Sequence, residues 1–151
     1  MSNWHQIILT SIITIIGGVS IFCLGQIILK FFIEPIQDLD QCRGKTCDIL
    51  IFHRNIYLNP NSASEDKMKE ISKEIRGLAV MLLAKKSMIR GYNFFEKINM
   101  ITTQENILIT HRNLIGLSNS IHKIEPINVQ RTIKENKKRE KNIKISLNID
   151  F

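Results

Sequence analysis

From Ile7 to Leu29 the chain runs for 23 residues without a charge, and its first Lys, Arg, Asp or Glu is Lys30. As an α-helix this stretch reaches roughly 34 Å, enough to cross a hydrocarbon core of about 30 Å with some tilt. Its Ile, Leu, Val and Phe side chains together favour the bilayer by on the order of 5 kcal/mol, which Gln26 and the small polar residues reduce without reversing. A cleaved signal peptide is the competing reading. It lacks support here: there is no basic n-region, the apolar core is too long, and no small-x-small site precedes the charges. A lipoprotein signal fails as well, because the bulky Phe22 precedes Cys23.

The distribution of basic residues sets the expected orientation. Residues 1–6 carry no Lys or Arg, whereas Lys30, Arg43 and Lys45 follow the span, so the positive-inside rule places residues 1–6 outside as a short periplasmic tail. The remainder then lies in the cytoplasm of a bacterium, tied to the inner membrane by residues 7–33. Trp4 falls at the outer interface, and Phe31 and Phe32 near the inner one.

All 21 basic and 14 acidic residues thus fall on one side, and their net charge of +7 grows away from the span. Residues 30–58 balance at four against four, residues 59–122 carry nine basic against six acidic, and residues 123–151 eight against four. Three cysteines, one of them within the span, do not make a disulfide framework.

The pattern predicts an all-α fold: the span, a small helical domain of three to four helices over residues 34–122, and a basic, flexible tail over 123–151. Glu34-Pro35 interrupts the first helical run, and Pro35 is read as starting a new helix or kinking a continuing one. Ile36, Leu39, Ile49, Leu50, Ile56 and Tyr57 fit that helix. Asn59-Pro60-Asn61 signals a turn, and Ser62 with Glu65 suggests a capping box. Met68, Ile71, Ile75, Leu78 and Leu82 recur at 3-4-3-4 spacing, with acids toward the start and Lys85, Lys86 and Arg90 toward the end. Gly91 supplies the stop. Tyr92, Phe94, Phe95 and Ile98 are expected to pack inward. Thr102 with Glu105 suggests a second capping box before a helix over about 103–121, whose apolar face holds Ile107, Leu108, Leu114, Ile115, Leu117 and Ile121. Gly116-Leu117-Ser118 there permits a close neighbour.

Several pieces of this chain resemble a family of small bacterial single-pass membrane proteins. They are Phe32-Ile33-Glu34-Pro35-Ile36, Arg43-Gly44 through Ile49-Leu50-Ile51-Phe52 to Asn55-Ile56-Tyr57, Ile75-Arg76-Gly77-Leu78-Ala79, and Arg112-Asn113-Leu114-Ile115-Gly116-Leu117-Ser118-Asn119-Ser120. The resemblance spans residues 24–122, and it implies an N-terminal span with a helical soluble part. His53 stands where an aromatic is expected, and Cys42 and Cys47 look particular to this chain. No active site is carried over.

Chemical motifs reduce to bland readings. Gly44-Lys45-Thr46 imitates the end of a phosphate-binding loop, but Leu39 stands where that loop needs its first glycine, and the context reads as helix. Cys42 and Cys47 with His53 offer too few ligands for structural zinc, and five residues on a helix turn the two thiols about 140° apart. His111 shares a helical row with Ile107, Leu114 and Ser118, which suits a hydrogen-bonded core histidine better than a base without a nucleophile. Glu34 and Lys30 fit a local ion pair. No catalytic residue, cofactor or metal site is expected, and the chain does not read as an enzyme.

The expected partners are membrane lipids and a protein, which includes a second copy of the chain. Ser11, Thr14, Gly18 and Gly25 share one face of the span and suit close contact between two helices. Lys137, Lys138, Arg139 and Lys141 form the proposed contact with an anionic surface. Nucleic acid is the alternative partner of this basic run, but the interspersed acids Glu135 and Glu140 and the scarcity of aromatics count against it.

Overall fold

The computed structural model describes residues 3–150, which are helical throughout apart from their turns. Asn3–Ile28 forms α1, Leu29–Ile33 a π-helical turn, and Glu34–Leu58 α2, and the three join without a break into a single helix of 56 residues. The cause of the π turn is Pro35. A proline inside an α-helix lacks a donor and presses on the carbonyl four residues back, here that of Phe31. Widening the turn, so that Glu34 N–H donates to the Leu29 carbonyl, lets the helix pass through. Pro35 therefore neither ends the helix nor begins a separate one.

α1 is long and apolar enough to cross a membrane, and none of its residues is buried against the rest of the chain. A core helix of the same composition would be covered. The first two residues of the expected outer tail lie outside the described residues, whereas Asn3–Gln6 form the first turn of α1.

After the turn at 59–64 the chain continues as α3 (Glu65–Met88), α4 (Tyr92–Lys97), α5 (Gln104–Ser120) and α6 (Pro126–Leu147). α2, α3, α5 and α6 form an up-down-up-down four-helix bundle in which α3 packs on α2 and α5, and α6 on α5 and α2. Its centre holds Leu39, Leu50 and Tyr57 from α2, Ile71, Ile75, Leu78 and Leu82 from α3, Ile107, Leu114 and Leu117 from α5, and Ile143 and Leu147 from α6. The seam expected on α3 is buried along its whole length. On α5, Ile107, Leu114, Leu117 and Ile121 are buried and Ile115 half-buried, while Leu108 faces outward.

The stretch expected as a tail, 123–151, departs most from expectation. Within it Pro126–Leu147 supplies the fourth wall of the bundle rather than a flexible tail. Val129, Ile133, Asn136, Glu140, Ile143 and Leu147 follow one another at 4-3-4-3-4 spacing, the period of a buried seam. Two of the six positions are polar, and both are accommodated. Asn136 is fully buried, donates to the Tyr57 carbonyl at 2.7 Å and accepts from Ser120 Oγ at 2.9 Å and Arg139 Nη1 at 2.8 Å. Glu140 pairs with Arg54 at 3.1 Å and Lys144 at 3.7 Å.

The helix starts also shift. Ser62 stands in the turn and Ser64 occupies the N-cap of α3 without a side-chain bond, so no capping box forms there. Thr103 rather than Thr102 caps α5, accepting from Asn106 N–H at 3.2 Å. Gly91 is left-handed at φ 70°, a conformation that strains any residue with a Cβ. At the far end of the bundle Asn61 ties the two turns together, donating to the Ile124 carbonyl and accepting from its N–H, each at 2.9 Å.

Candidate interaction surface

The expected contact run Lys137, Lys138, Arg139 and Lys141 is divided by the helix that carries it. Lys137, Lys138 and Lys141 lie on the exposed face of α6, and Lys134 and Arg131, which the run omitted, continue the same face. Lys134, Lys137, Lys138 and Lys141 stand at i, i+3, i+4 and i+7, so one side of the helix carries them all. Arg139 is turned inward. Its guanidinium donates to Asn136 Oδ1 and to Glu135 Oε2 at 3.3 Å and lies across Gly116.

Of the two acids that dilute this run in sequence, one is withdrawn from its outer face and the other stands at the edge. Glu140 has a side chain only 6% exposed, held between Arg54 and Lys144. Glu135 lies at the flank. Hydrogen bonding from Arg131 holds its carboxyl below the usual range, with the Arg139 charge adding to the effect.

The level of this face on the bundle follows from three contacts. α6 runs antiparallel to α2, pairing Asn136 with Tyr57, Glu140 with Arg54, and the Leu147 carbonyl with Arg43. From Ile33 to Arg54 the helix rises roughly 30 Å. The lysines stand beside the far half of α2, well beyond the junction with α1. Beside them Arg54, Leu58, Lys137, Glu140, Lys141 and Lys144 line a shallow groove of about 280 Å³.

A second groove, of about 390 Å³, opens between α2 and α3 around Phe52, His53, Glu70 and Glu74. His53 is buried, with Nε2 2.8 Å from Glu74 Oε2, and the adjacent Phe52 ring is 80% exposed with its edge against the imidazole. His53 meets a carboxylate here, and among the described residues no group of three or more His, Cys, Asp and Glu could hold a metal ion. Cys42 faces the core, where burial pushes its thiol up, and Cys47 is half-buried. Gly44-Lys45-Thr46 lies within α2, and Thr46 Oγ1 donates to the Cys42 carbonyl, so the phosphate-loop imitation has no loop. His111 Nδ1 lies 3.0 Å from the Ala79 carbonyl and bridges α5 to α3.

On α1, Ser11 and Thr14 turn their hydroxyls back onto the Ile7 and Thr10 carbonyls at 2.9 and 2.8 Å. Nothing in the fold approaches Gly18 or Gly25. The four share one open helix face.

Ser118 is the small residue that α3 exploits. Ser72 Oγ donates to its carbonyl at 2.8 Å, and Arg76 reaches both its hydroxyl and Asn119. Tyr92 and Phe95 turn inward as expected, but Phe94 and Ile98 do not: they are 63% and 53% exposed. α4 is too short to bury both of its faces.

No family model matches the chain, and no curated protein or solved structure matches it.

Proposed function

We propose that this chain is a membrane-anchored helical interaction module at the cytoplasmic face of a bacterial inner membrane, single-pass, with a periplasmic amino terminus and no catalysis of its own. The resemblance to small single-pass bacterial membrane proteins belongs to the same reading. The carrying observation is the unbroken helix from Asn3 to Leu58, which serves as candidate span in its first half and as a wall of the bundle in its second. A bundle built onto such a helix is held at a fixed height and presents the outer face of α6 away from the bilayer.

Height decides what that face meets. Electrostatic attraction to anionic lipid decays over about 8 Å at physiological salt, and the lysines stand roughly 30 Å along the helix from Ile33. The usual tilt of spanning helices, about 20°, hardly shortens that distance. Lipids of the anchoring membrane are therefore replaced, as the target of this face, by an acidic macromolecule. A protein partner is the leading reading. Nucleic acid is the second, favoured by one observation: Glu140 is withdrawn from the outer lysine face, and Glu135 stands at its flank, paired with Arg131 and Arg139.

Purification of the full chain from detergent-solubilised membranes, beside a variant carrying Lys134→Ser, Lys137→Ser, Lys138→Ser and Lys141→Ser, tests both. A partner protein retained by the first and lost from the second is expected. Nuclease-sensitive nucleic acid lost from the variant in its place would give the second reading. Identical material from both proteins would remove the α6 face from the function.

A further inference from the structure

Where the bundle meets the end of α1, the chain exposes apolar side chains that its fold does not use. α3 ends there with Met88, and α4 and its following turn present Phe94, Ile98 and Met100, all more than half exposed. These residues sit at the level of the span's end, as three contacts show. The Arg90 guanidinium lies 4.6 Å from the centre of the Phe31 ring, Phe32 and Phe95 have ring centres 6.1 Å apart, and Phe95 and Phe94 have theirs 5.4 Å apart. Phe32, Phe95 and Phe94 thus form a row of rings leading outward from the helix that carries the span. Phe31 and Phe32 lie within one helical turn of Leu29, the last residue of the uncharged stretch.

The charges flanking this patch along the chain are mostly basic. Lys30, Lys86, Arg90 and Lys97 stand against Glu34 and Glu96. Lys86 already leans over the Tyr92 ring, 5.7 Å from its centre. Aromatic rings and basic side chains together are what a headgroup region accommodates, the rings at the acyl boundary and the cations among the phosphates.

We propose that α4 and its flanks are a second membrane contact, in which Phe94 and Ile98 enter the bilayer surface beside the span while Arg90 and Lys97 meet anionic headgroups. The inference rests on α1 spanning the membrane, because that alone brings a bilayer to the level of Phe31 and Phe32. Its occupant is the lipid surface, since the patch is continuous with the end of the span and carries the charge that complements acidic lipid. Attachment at two points would fix the rotation and tilt of the bundle, which a single helix leaves free.

Depth-resolved fluorescence quenching tests the contact and its premise separately. The full chain, with its single tryptophan removed by Trp4→Phe, is reconstituted in vesicles of phosphatidylcholine and phosphatidylglycerol. One tryptophan is then introduced at a time by Phe94→Trp, Ile98→Trp, Ile16→Trp or Phe52→Trp. The two α4 variants should lose emission most to lipids brominated near the headgroup, Ile16→Trp most to lipids brominated deep in the chain, and Phe52→Trp to neither.

Unquenched α4 variants beside a quenched Ile16→Trp would overturn the second contact and leave the span standing. An unquenched Ile16→Trp would remove the span itself, and the inference with it. Blue-shifted α4 emission that no brominated lipid reaches would mean that a protein surface covers the patch, and would also overturn the proposal. Equal quenching of Phe52→Trp and Phe94→Trp would show a bundle lying on its side, contrary to the level argued here.

Discussion

Arg139 of α6 crosses directly over Gly116 of α5, so closely that a Cβ added to Gly116 would stand 2.6 Å from the guanidine Nε. The helices approach there because one side has no side chain and the other folds its long one across the gap, held by Asn136 and Glu135. Gly116→Ala therefore sets two effects against each other. Alanine is better than glycine in a helix interior by about 1 kcal/mol, while displacing Arg139 breaks bonds worth at least as much. Thermal unfolding is expected to show Gly116→Ala destabilising in the natural sequence and stabilising by about 1 kcal/mol once Arg139→Ala is present. The same sign in both backgrounds would remove this contact from the α5–α6 interface.

α6 is expected to be indispensable to the bundle. A chain ended after Ile124 would uncover the core that Ile143 and Leu147 close, and should lose cooperative unfolding and bind a dye specific for exposed apolar surface. Asn136→Ala, a smaller lesion, leaves the Tyr57 carbonyl without its donor and Ser120 without its acceptor on α6, and should cost about 2–3 kcal/mol. A shortened chain that melted like the full one would restore the reading of 123–151 as a dispensable tail.

The two tyrosines give a pH signature. Burial, reinforced by the Glu140 carboxylate, pushes the Tyr57 phenol up, and burial raises Tyr92 to about 12 from an ordinary value of 10. Tyr92 also donates to the Thr102 carbonyl at 2.6 Å. Both phenols are neutral in the fold at a pH where the unfolded chain has already released the protons. Their contribution to stability is thus complete below about pH 10 and falls as pH rises toward 12. In an alkaline titration, phenolate absorbance should arrive together with loss of helical ellipticity. Ionisation of both near pH 10 with the helices intact would contradict their burial.

Self-association through α1 is expected to depend on one face. Gly18 shares it with Ser11, Thr14 and Gly25, whereas Gly17 is turned 100° away. In a membrane two-hybrid assay, Gly18→Ile should reduce the dimer signal far more than Gly17→Ile. Equal effects, or none, would leave the small-residue stripe without a role.

Legibility in the sequence followed the purity of each seam. α3 repeats five apolar residues at helical spacing, and its buried positions could be read one by one. α6 has the same period, but Asn136 and Glu140 occupy two of its seam positions, so hydropathy reads it as a charge run. Partners on other helices, Tyr57 and Arg54 of α2 and Ser120 of α5, make burial of those two affordable, and nothing within α6 announces them. Of the two readings of Pro35, a new helix or a kink in a continuing one, the second is nearer the structure; the choice was open because a π turn relieves the proline clash without leaving a residue signature. Of the interaction surface, the basic composition was legible but not its geometry. Which of Lys138 and Arg139 faces outward depends on the α6 phase, and that is fixed by the seam.

The most direct measurement of the central proposal, a periplasmic amino terminus and a bundle held at the cytoplasmic face, is a topology assay in a bacterium. The chain is fused after Phe151 to a paired reporter, one half active only in the periplasm and the other fluorescent only in the cytoplasm. With every charge beyond Leu29 and Lys30, Arg43 and Lys45 following the span, the cytoplasmic reporter should be bright in the membrane fraction and the periplasmic one silent. A strong periplasmic signal would contradict the orientation, and fluorescence recovered wholly in the soluble fraction would contradict the anchor.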